Sequence, residues 1–360
     1  MSKTTRIAIV GFGLIGRRHA DVIRRAPELE LAAIVEPGPE GGIAAEAPGA
    51  PVFATLSEML EVIKPDGVVL ATPTPLHVEQ GLACIAAGCP VLIEKPIAVT
   101  SQDAKLLTDA AENAGVPLLV GHHRRHNGMV QAAKAALSGG VIGDIRAIQA
   151  TCWFYKPDHY FEVAPWRTRK GAGPVSVNLV HDVDLLRHFC GEVRTVQAIA
   201  VPSRRGFENE DLATAVLQFQ SGAVATISVS DSIVAPWSWE LTARENPAYP
   251  ATSESCYLIG GSEGGLSLPD LRVWRHDELP DWWTPISARN LTCSMEDPLA
   301  VQIAHFAAVI AREEEPLVSG WEGLKSLEVV EAVALSSVTG REVSFGEEVA
   351  NPVSALASVT

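Results

Sequence analysis

The stretch Arg6-Ile-Ala-Ile-Val-Gly-Phe-Gly-Leu-Ile-Gly16 decides the fold, because an apolar run leads directly into a glycine turn. Gly11, Gly13 and Gly16 stand between a predicted strand and a predicted helix that ends near Arg25. In such a unit the first glycine allows the tight turn, the second lets the backbone approach a pyrophosphate, and the third lets helix and strand pack closely. The pyrophosphate would lie at the helix N-terminus. The intervening residues, which would share this dinucleotide site, are Phe12, Leu14 and Ile15.

Strand and helix signals alternate through the first third of the chain. The predicted strands are residues 6–10, 29–35, 67–71, 91–93 and 116–120, and later helices are predicted at 76–87 and 101–114, the second capped by Ser101. Near-continuous apolar strands that alternate with helices are typical of a doubly wound parallel sheet. We therefore predict an α/β NAD-binding domain over residues 1–123.

The sequence changes character after Gly121. Strand signals dominate residues 145–154, 193–201, 212–219, 223–230 and 256–259, and helices are predicted at 128–138, 174–190, 297–312 and 322–338. These signals predict a second, sheet-rich domain over residues 124–346, with its C-terminal helices packing back. A frayed tail is expected at 347–360.

Composition and charge exclude several classes of protein. The chain has 360 residues and a net charge of −15, and nucleic-acid binding needs a concentrated basic surface. No apolar run reaches the roughly 18 residues of a membrane span. The N-terminus leaves no room for a signal peptide before the first strand, so a cytoplasmic protein without a membrane partner is expected. The six cysteines lack metal-binding or paired spacing, which predicts free thiols and no metal site.

Glu36 ends the second predicted strand, twenty residues after Gly16. A carboxylate at this point can hydrogen-bond both ribose hydroxyls of NAD and would repel a 2′-phosphate. We therefore predict NAD as the cofactor and regard NADP as less favoured. In the alternative, Glu36 turns outward and a basic residue such as Arg17 recognises the nucleotide.

Two further segments follow predicted strands and are candidates for cofactor contact. The segment Thr72–His77 begins after the strand at 67–71. Its members Thr72, Pro73 and His77 are expected along the cofactor ribose. His77 is equally well explained as the start of a capped helix. Glu94-Lys95-Pro96 follows the strand at 91–93. The carboxyl ends of parallel strands face the ligand crevice, so Glu94 and Lys95 are expected beside the cofactor.

Lys95 is the candidate for chemistry in the first domain. A lysine beside oxidised nicotinamide feels positive charge and partial desolvation, and both lower its pKa toward the range of a general acid or base. The alternative is a structural lysine that pairs with a nearby acid.

A second group of candidates lies in the sheet-rich domain. His181 and Asp184 are three residues apart on a predicted helix and share a face, where the carboxylate can hold the imidazole in one tautomer. Asn178 lies one turn earlier. A histidine on an amphipathic helix is more often structural, but the glycine-rich loop before this helix favours a site. Further candidate substrate contacts are Arg124, Tyr155, Trp166 and Arg167.

Together these motifs resemble the glucose–fructose oxidoreductase/inositol dehydrogenase/MocA (Gfo/Idh/MocA) family over nearly the whole chain. The resemblance rests on the glycine turn, Ala71–His77, Glu94–Pro96, the strand end Gly121-His-His-Arg-Arg-His126, the helix with His181, and the late segment Pro316-Leu-Val-Ser-Gly. It implies a Rossmann domain followed by an α+β C-terminal domain with a large, mostly antiparallel open sheet. One sheet face commonly forms the subunit interface, so a homodimer or homotetramer is implied.

The resemblance also implies reversible oxidation of a secondary alcohol on a sugar, sugar acid or cyclitol. Lys95 would bind the reacting oxygen and take part in proton transfer, with His181 as its acid/base partner. Many members carry an aspartate four residues before the histidine, where this chain has Val177. That departure puts the usual lysine–aspartate–histidine network in doubt, and Asp182 and Asp184 are candidates to compensate.

Two other functions remain open at this stage. The first is a regulatory protein that holds NAD and a sugar without turnover. The second is a hydrolase or isomerase that uses NAD with no net redox change. Retention of both Lys95 and His181 favours the dehydrogenase, because a sensor needs no proton-transfer pair.

Overall fold

The structure is a computed structural model that describes residues 4–38, 47 and 49–346. It divides into two compact units, Met1–Asn127 with Glu296–Leu327, and Gly128–Met295 with Glu328–Thr360. The first boundary thus follows Asn127, and the segment Glu296–Leu327 belongs with the first unit. The predicted tail at 347–360 lies outside the described residues.

The helices and strands are as follows, in chain order. The strands are β1 (Thr5–Val10), β2 (Leu29–Val35), β3 (Val52–Phe53), β4 (Gly67–Leu70), β5 (Val91–Ile93), β6 (Leu118–Val120), β7 (Ile145–Trp153), β8 (Val193–Pro202), β9 (Glu210–Phe219), β10 (Val224–Ser230), β11 (Tyr257–Gly261), β12 (Gly265–Leu268), β13 (Arg272–Arg275), β14 (Ser287–Asn290) and β15 (Val343–Ser344). The helices are α1 (Leu14–Arg25), α2 (Leu56–Ile63), α3 (His77–Ala86), α4 (Ser101–Ala114), α5 (Gly128–Ser138), α6 (Asp158–Glu162), α7 (Pro174–Val177), α8 (Leu179–Cys190), α9 (Trp239–Thr242), α10 (Pro298–Ile310) and α11 (Gly320–Thr339). None of the helices described is both long enough and apolar enough to cross a membrane.

The first unit contains a parallel sheet with strand order β3-β2-β1-β4-β5-β6. The order reverses between β1 and β4, which is the point where such sheets bind ligands. The strands β4 and β5 and the last four residues of β1 are buried. On one face Ile9 packs in a cluster with Ile303 and Phe306 of α10. The predicted doubly wound sheet is confirmed.

The second unit contains a nine-stranded sheet with the order β14-β13-β12-β11-β7-β10-β9-β8-β15. Neighbouring strands in this sheet are antiparallel, except β7 and β10, which are parallel. One face carries the core, where Val196, Leu217 and Ile227 pack with residues of α5, α8 and the second half of α11. The opposite face exposes apolar side chains such as Ile199 and Leu258. The predicted mostly antiparallel sheet is confirmed.

Two local expectations differ from the structure. The helix predicted over 174–190 is interrupted at Asn178, because the N–H of His181 bonds the Asn178 carbonyl only three residues back. Asparagine competes with helical hydrogen bonding through its own side chain, which favours such a break. The cap of α4 is Thr100 rather than Ser101, since the Thr100 hydroxyl accepts the N–H of Asp103 at 3.1 Å.

Candidate active site

The carboxyl ends of β1, β2 and β4 border a cleft of about 850 Å³ in the first unit. The residues that line it include Val10, Gly11, Gly13, Val35, Glu36, Pro37, Thr55, Ala71, Thr72, Pro73, Leu76, Glu79 and Gln80. A cleft of this size is ample for a nucleotide. It therefore joins the glycine turn, the acid after β2 and the loop after β4, which the sequence predicted as one cofactor site.

The glycine turn fits a pyrophosphate. Gly11 has φ +89°, and a Cβ there would lie 2.7 Å from the Ala71 carbonyl oxygen. A Cβ on Gly16 would lie 2.0 Å from the Gly11 oxygen, whereas one on Gly13 would meet nothing within 4 Å. Space is therefore open beside Gly13, where α1 begins and its first N–H groups lack intrahelical acceptors. A helix N-terminus of this kind attracts anions.

Glu36 is fixed against the glycine turn. Its Oε2 accepts a hydrogen bond from the backbone N–H of Phe12 at 2.7 Å. The Phe12 ring itself is buried in the core, so Phe12 borders the site through its backbone. Arg17 lies near the same turn, with its guanidinium carbon 5.0 Å from the centre of the Phe12 ring. The Glu36 carboxylate thus faces the turn instead of pointing outward.

His77 connects two loops at the sheet edge. Its Nδ1 lies 3.0 Å from the Pro96 oxygen and its Nε2 lies 2.8 Å from the Thr72 oxygen. Burial lowers the pKa of His77, although the two carbonyl oxygens favour the charged form. A neutral imidazole carries one N–H, so it donates to only one of these two oxygens. The buried side chain nevertheless lies between the two loops rather than facing the cleft. Thr72 and Pro73 line the cleft, and the Thr72 hydroxyl donates to Gln80 at 2.6 Å.

Glu94 supports the loop that carries Lys95. Its Oε1 lies 2.8 Å from Nε2 of the fully buried His19 in α1, and its Oε2 accepts the backbone N–H of Lys95 at 3.2 Å. Burial raises the pKa of Glu94, but the His19 hydrogen bond and the nearby charges of His123 and Lys95 outweigh it, so the pKa lies below its ordinary value. Glu94 is therefore held behind half-buried Lys95.

The polar segment after β6 is buried rather than open. Arg124 is 4% exposed, and Arg125 forms an ion pair with Glu322 of α11 at 2.7 Å. The His126 ring lies 5.2 Å from the ring of His305 in α10. Arg125 thus connects the segment after β6 to the C-terminal segment of the same unit.

In the second unit, α8 carries His181 on a buried surface. His181 is 8% exposed and Asp184 is 1% exposed. The neighbouring Asp182 accepts a hydrogen bond from the Tyr257 hydroxyl of β11. Asp182, offered above as a replacement for the missing aspartate, is thus engaged in the packing of α8 on the sheet.

Lys156 is a residue that sequence reasoning passed over. Its Nζ donates to Asn178 Oδ1 at 2.7 Å and lies 5.0 Å from the centre of the Tyr160 ring. Burial lowers the pKa of Lys156, and the charge of Asp231 opposes this only in part. The sequence contains one indication of a site here, the aromatic and basic stretch from Trp153 to Tyr160. It did not indicate that the lysine within this stretch is buried.

The remaining candidates, Arg167, Tyr155 and Trp166, belong to the same unit as Lys156. Arg167 lies 3.9 Å above the Tyr160 ring and donates to the Tyr160 carbonyl at 2.6 Å, so its position is fixed. Tyr155 and Trp166 are exposed, and the Arg205 guanidinium lies 5.6 Å from the Tyr155 ring.

The chain is similar to several known dehydrogenases along most of its length. The chain is 28% identical over 347 residues to D-apiose dehydrogenase of Paraburkholderia graminis, covering 94% of this chain and 89% of that protein. It is 27% identical to inositol 2-dehydrogenase 2 of Saccharopolyspora erythraea, covering 94% of each. The solved WlbA dehydrogenase of Bordetella pertussis, in complex with NADH and UDP-GlcNAcA, superposes with a TM-score of 0.77 at 26% identity. That match covers 96% of this chain and 100% of WlbA.

Two family models match consecutive parts of the sequence. Residues 5–122 match the oxidoreductase family with an NAD-binding Rossmann fold, and residues 130–267 match the GFO/IDH/MocA C-terminal domain. Since these matches cover more than half of the chain, the protein belongs to the Gfo/Idh/MocA family of oxidoreductases.

Proposed function

We propose that this protein is an NAD-dependent dehydrogenase that reversibly oxidises a secondary alcohol of a sugar, sugar acid or cyclitol. One observation carries the proposal: Lys95 follows β5 at the same sheet edge as the glycine turn and Glu36. A lysine there lies at the end of the sheet where dinucleotides bind and react.

The residues divide the chemistry between them. The glycine turn and Glu36 would hold NAD, which would supply the acceptor for the hydride of the carbinol carbon. The Lys95 ammonium binds the reacting oxygen and stabilises the negative charge that develops on it. His181 takes the hydroxyl proton and returns it in the reverse reaction. General acid/base assistance of this kind contributes roughly 10²–10⁴-fold.

We assign recognition of the sugar to side chains of the second unit. The exposed rings of Tyr155 and Trp166 suit the apolar faces of a sugar, and Asn178, Asp184 and Arg167 supply polar contacts.

The preference for NAD rests on Glu36. A carboxylate fixed to the Phe12 N–H can accept a ribose hydroxyl, and it would repel a phosphate at the same position. The NADH in the WlbA complex is consistent with this preference.

A screen of sugars, sugar acids and cyclitols for NADH formation tests the reaction. Wild type should form NADH with at least one of them, and Lys95→Met should lose at least about 10²-fold in turnover while still binding NAD. Lys105→Met is the matched control, because Lys105 is an exposed lysine that pairs with Asp109 on α4. Near-wild-type turnover of Lys95→Met would contradict the mechanism.

The same screen separates the two alternatives. Product without net NADH would indicate a hydrolase or isomerase. NAD and sugar binding with no product would indicate a regulatory protein.

A homodimer or homotetramer is part of the proposal. The open face of the large sheet exposes Ile199, Val216, Leu258 and Trp274, and an apolar sheet face of this kind favours burial against another subunit. Light scattering coupled to size exclusion measures the mass directly, and a monomer at micromolar concentration would contradict this assembly.

A further inference from the structure

Among the described residues, Lys156 is the one lysine that is buried, at 6% exposure. Its Nζ lies 2.7 Å from the side-chain oxygen of Asn178. A lysine ammonium carries three donors and no acceptor, so the amide atom that faces it has to be the oxygen. Lys156 therefore selects one of the two orientations that the Asn178 amide can adopt.

The selected orientation leaves the amide nitrogen of Asn178 on the opposite side. Within the described part of the chain, this nitrogen has no acceptor, and Asn178 is only half-buried. Its two N–H groups are therefore available to a ligand. The positive charge behind the amide oxygen polarises the group, which strengthens its N–H donors in a low-dielectric environment.

The acids near Lys156 are bound to other groups, so its ammonium group donates to Asn178. Asp231, the acid whose charge acts most strongly on Lys156, forms an ion pair with Arg205 at 3.0 Å, and Arg205 also donates to the Lys156 carbonyl at 2.8 Å. Glu210 accepts the backbone N–H of Val175 at 3.0 Å. In the described residues the Asn178 oxygen is the only side-chain acceptor that Lys156 reaches.

We propose that Lys156 is a positioning residue that fixes the Asn178 amide with its N–H groups toward the substrate, and that this pair selects a substrate bearing a carboxylate. The inference rests on the proposed function, because it narrows the substrate class of that site to sugar acids. A charged acceptor binds polarised donors more strongly than a neutral hydroxyl does. An amide that offers only donors also leaves the proton of a substrate hydroxyl without an acceptor.

Binding of matched pairs of ligands tests the proposal without requiring turnover. The pairs are D-glucuronate with D-glucose, D-galacturonate with D-galactose, and D-gluconate with D-glucitol, each titrated calorimetrically into protein saturated with NADH. Wild type should bind at least one acid about tenfold more tightly than its neutral partner, as one charge-assisted hydrogen bond provides. Lys156→Met should abolish that preference, and Lys156→Arg should restore part of it.

Asn178→Asp tests the same point with Lys156 intact. A carboxylate at position 178 would pair with Lys156 and present oxygen to the ligand, so the acid should then bind about tenfold more weakly than its neutral partner. Lys170→Met is the control, since Lys170 is an exposed lysine of the same unit. Thermal unfolding and NAD affinity, measured on every variant, identify any that fail to fold.

The outcomes separate this inference from the dehydrogenase itself. If Lys156→Met or Asn178→Asp folds and keeps the wild-type preference, the inference is wrong. If wild type favours no acid in any pair, whether or not it binds the neutral partner, the carboxylate assignment is also wrong, although NADH formation would still support the dehydrogenase. If wild type prefers an acid but forms NADH from no substrate, the proposed function is wrong, whereas the selection of a carboxylate by Lys156 and Asn178 is still supported.

Discussion

The Oε2 atom of Glu36 lies 2.7 Å from the backbone nitrogen of Phe12, so the acid at the end of β2 is hydrogen-bonded to the glycine turn after β1. The two strands pair in parallel, with Val10 beside Val35, which brings both strand ends to one edge of the sheet. The carboxylate is thereby preorganised at the cleft before a nucleotide arrives.

Replacement of Glu36 by alanine should change cofactor preference. The variant loses the acceptor for a ribose hydroxyl and the repulsion of a 2′-phosphate. We expect the KM for NAD to rise about tenfold or more, and the ratio of kcat/KM for NAD to that for NADP to fall. Glu30→Ala, at an exposed position of the same strand, should leave the ratio unchanged. An unaltered ratio in Glu36→Ala would mean that another residue recognises the ribose.

Gly13 and Gly16 should respond differently to alanine. A Cβ at Gly13 meets no protein atom, so Gly13→Ala should unfold at the wild-type temperature yet bind NAD at least about tenfold more weakly, because the methyl group enters the space for the pyrophosphate. A Cβ at Gly16 would strike the Gly11 carbonyl, so Gly16→Ala should lose about 1–3 kcal/mol of stability.

Calorimetric unfolding and NAD titration separate the two effects. Normal NAD affinity in Gly13→Ala would place the pyrophosphate elsewhere.

Local patterns predicted most of the first unit. The apolar run of β1, the glycine turn and the acid after β2 are close in sequence, and their backbone preferences do not depend on distant contacts. The C-terminal helices were predicted to pack back, but the sequence did not indicate that Glu296–Leu327 belongs to this unit. That assignment depends on Phe306 and Ile303 packing against strands nearly 300 residues earlier, and an amphipathic helix does not specify which sheet it covers.

The candidate site shows the same limit. Lys95 and Glu36 were found because a residue directly after a parallel strand has a predictable position. The roles of His77 and Lys156 depend on contacts with Pro96 and Asn178, which lie 19 and 22 residues further along the chain. No periodicity or composition encodes such a contact, so His77 was left open between a cofactor contact and a helix start, and Lys156 was given no role of its own.

Thr100 should contribute to stability without affecting the chemistry. Its hydroxyl accepts the Asp103 N–H at 3.1 Å and donates to the Asp103 carboxylate at 2.7 Å, which satisfies the first turn of α4. Thr100→Ala should lower the free energy of unfolding by about 1 kcal/mol. Gln102→Ala, at an exposed position in the same turn, should change it by less than about 0.5 kcal/mol. Equal losses in urea titrations of the two variants would exclude the cap.

His77 should make stability depend on pH below neutrality. Burial lowers its pKa from 6.5, so the unfolded chain binds a proton more readily than the folded protein does. The stabilisation is complete above pH 6.5 and is lost as the pH falls through the lowered pKa, at no more than about 1.4 kcal/mol per pH unit. His77→Gln should therefore be less stable than wild type at pH 7.5 but should lose less stability between pH 6.5 and 5.5.

The exposed His159 on α6 provides the control for this pH experiment. His159→Gln replaces a histidine in the same way without removing a contact between the Thr72 and Pro96 loops. Because His77 joins the Thr72 and Pro96 loops, His77→Gln should also lower kcat by displacing Lys95, and His159→Gln should not. If His77→Gln and wild type lost equal stability on acidification, the histidine would not be held neutral by burial. A lowered kcat alone would then reflect only the loss of the link between the two loops.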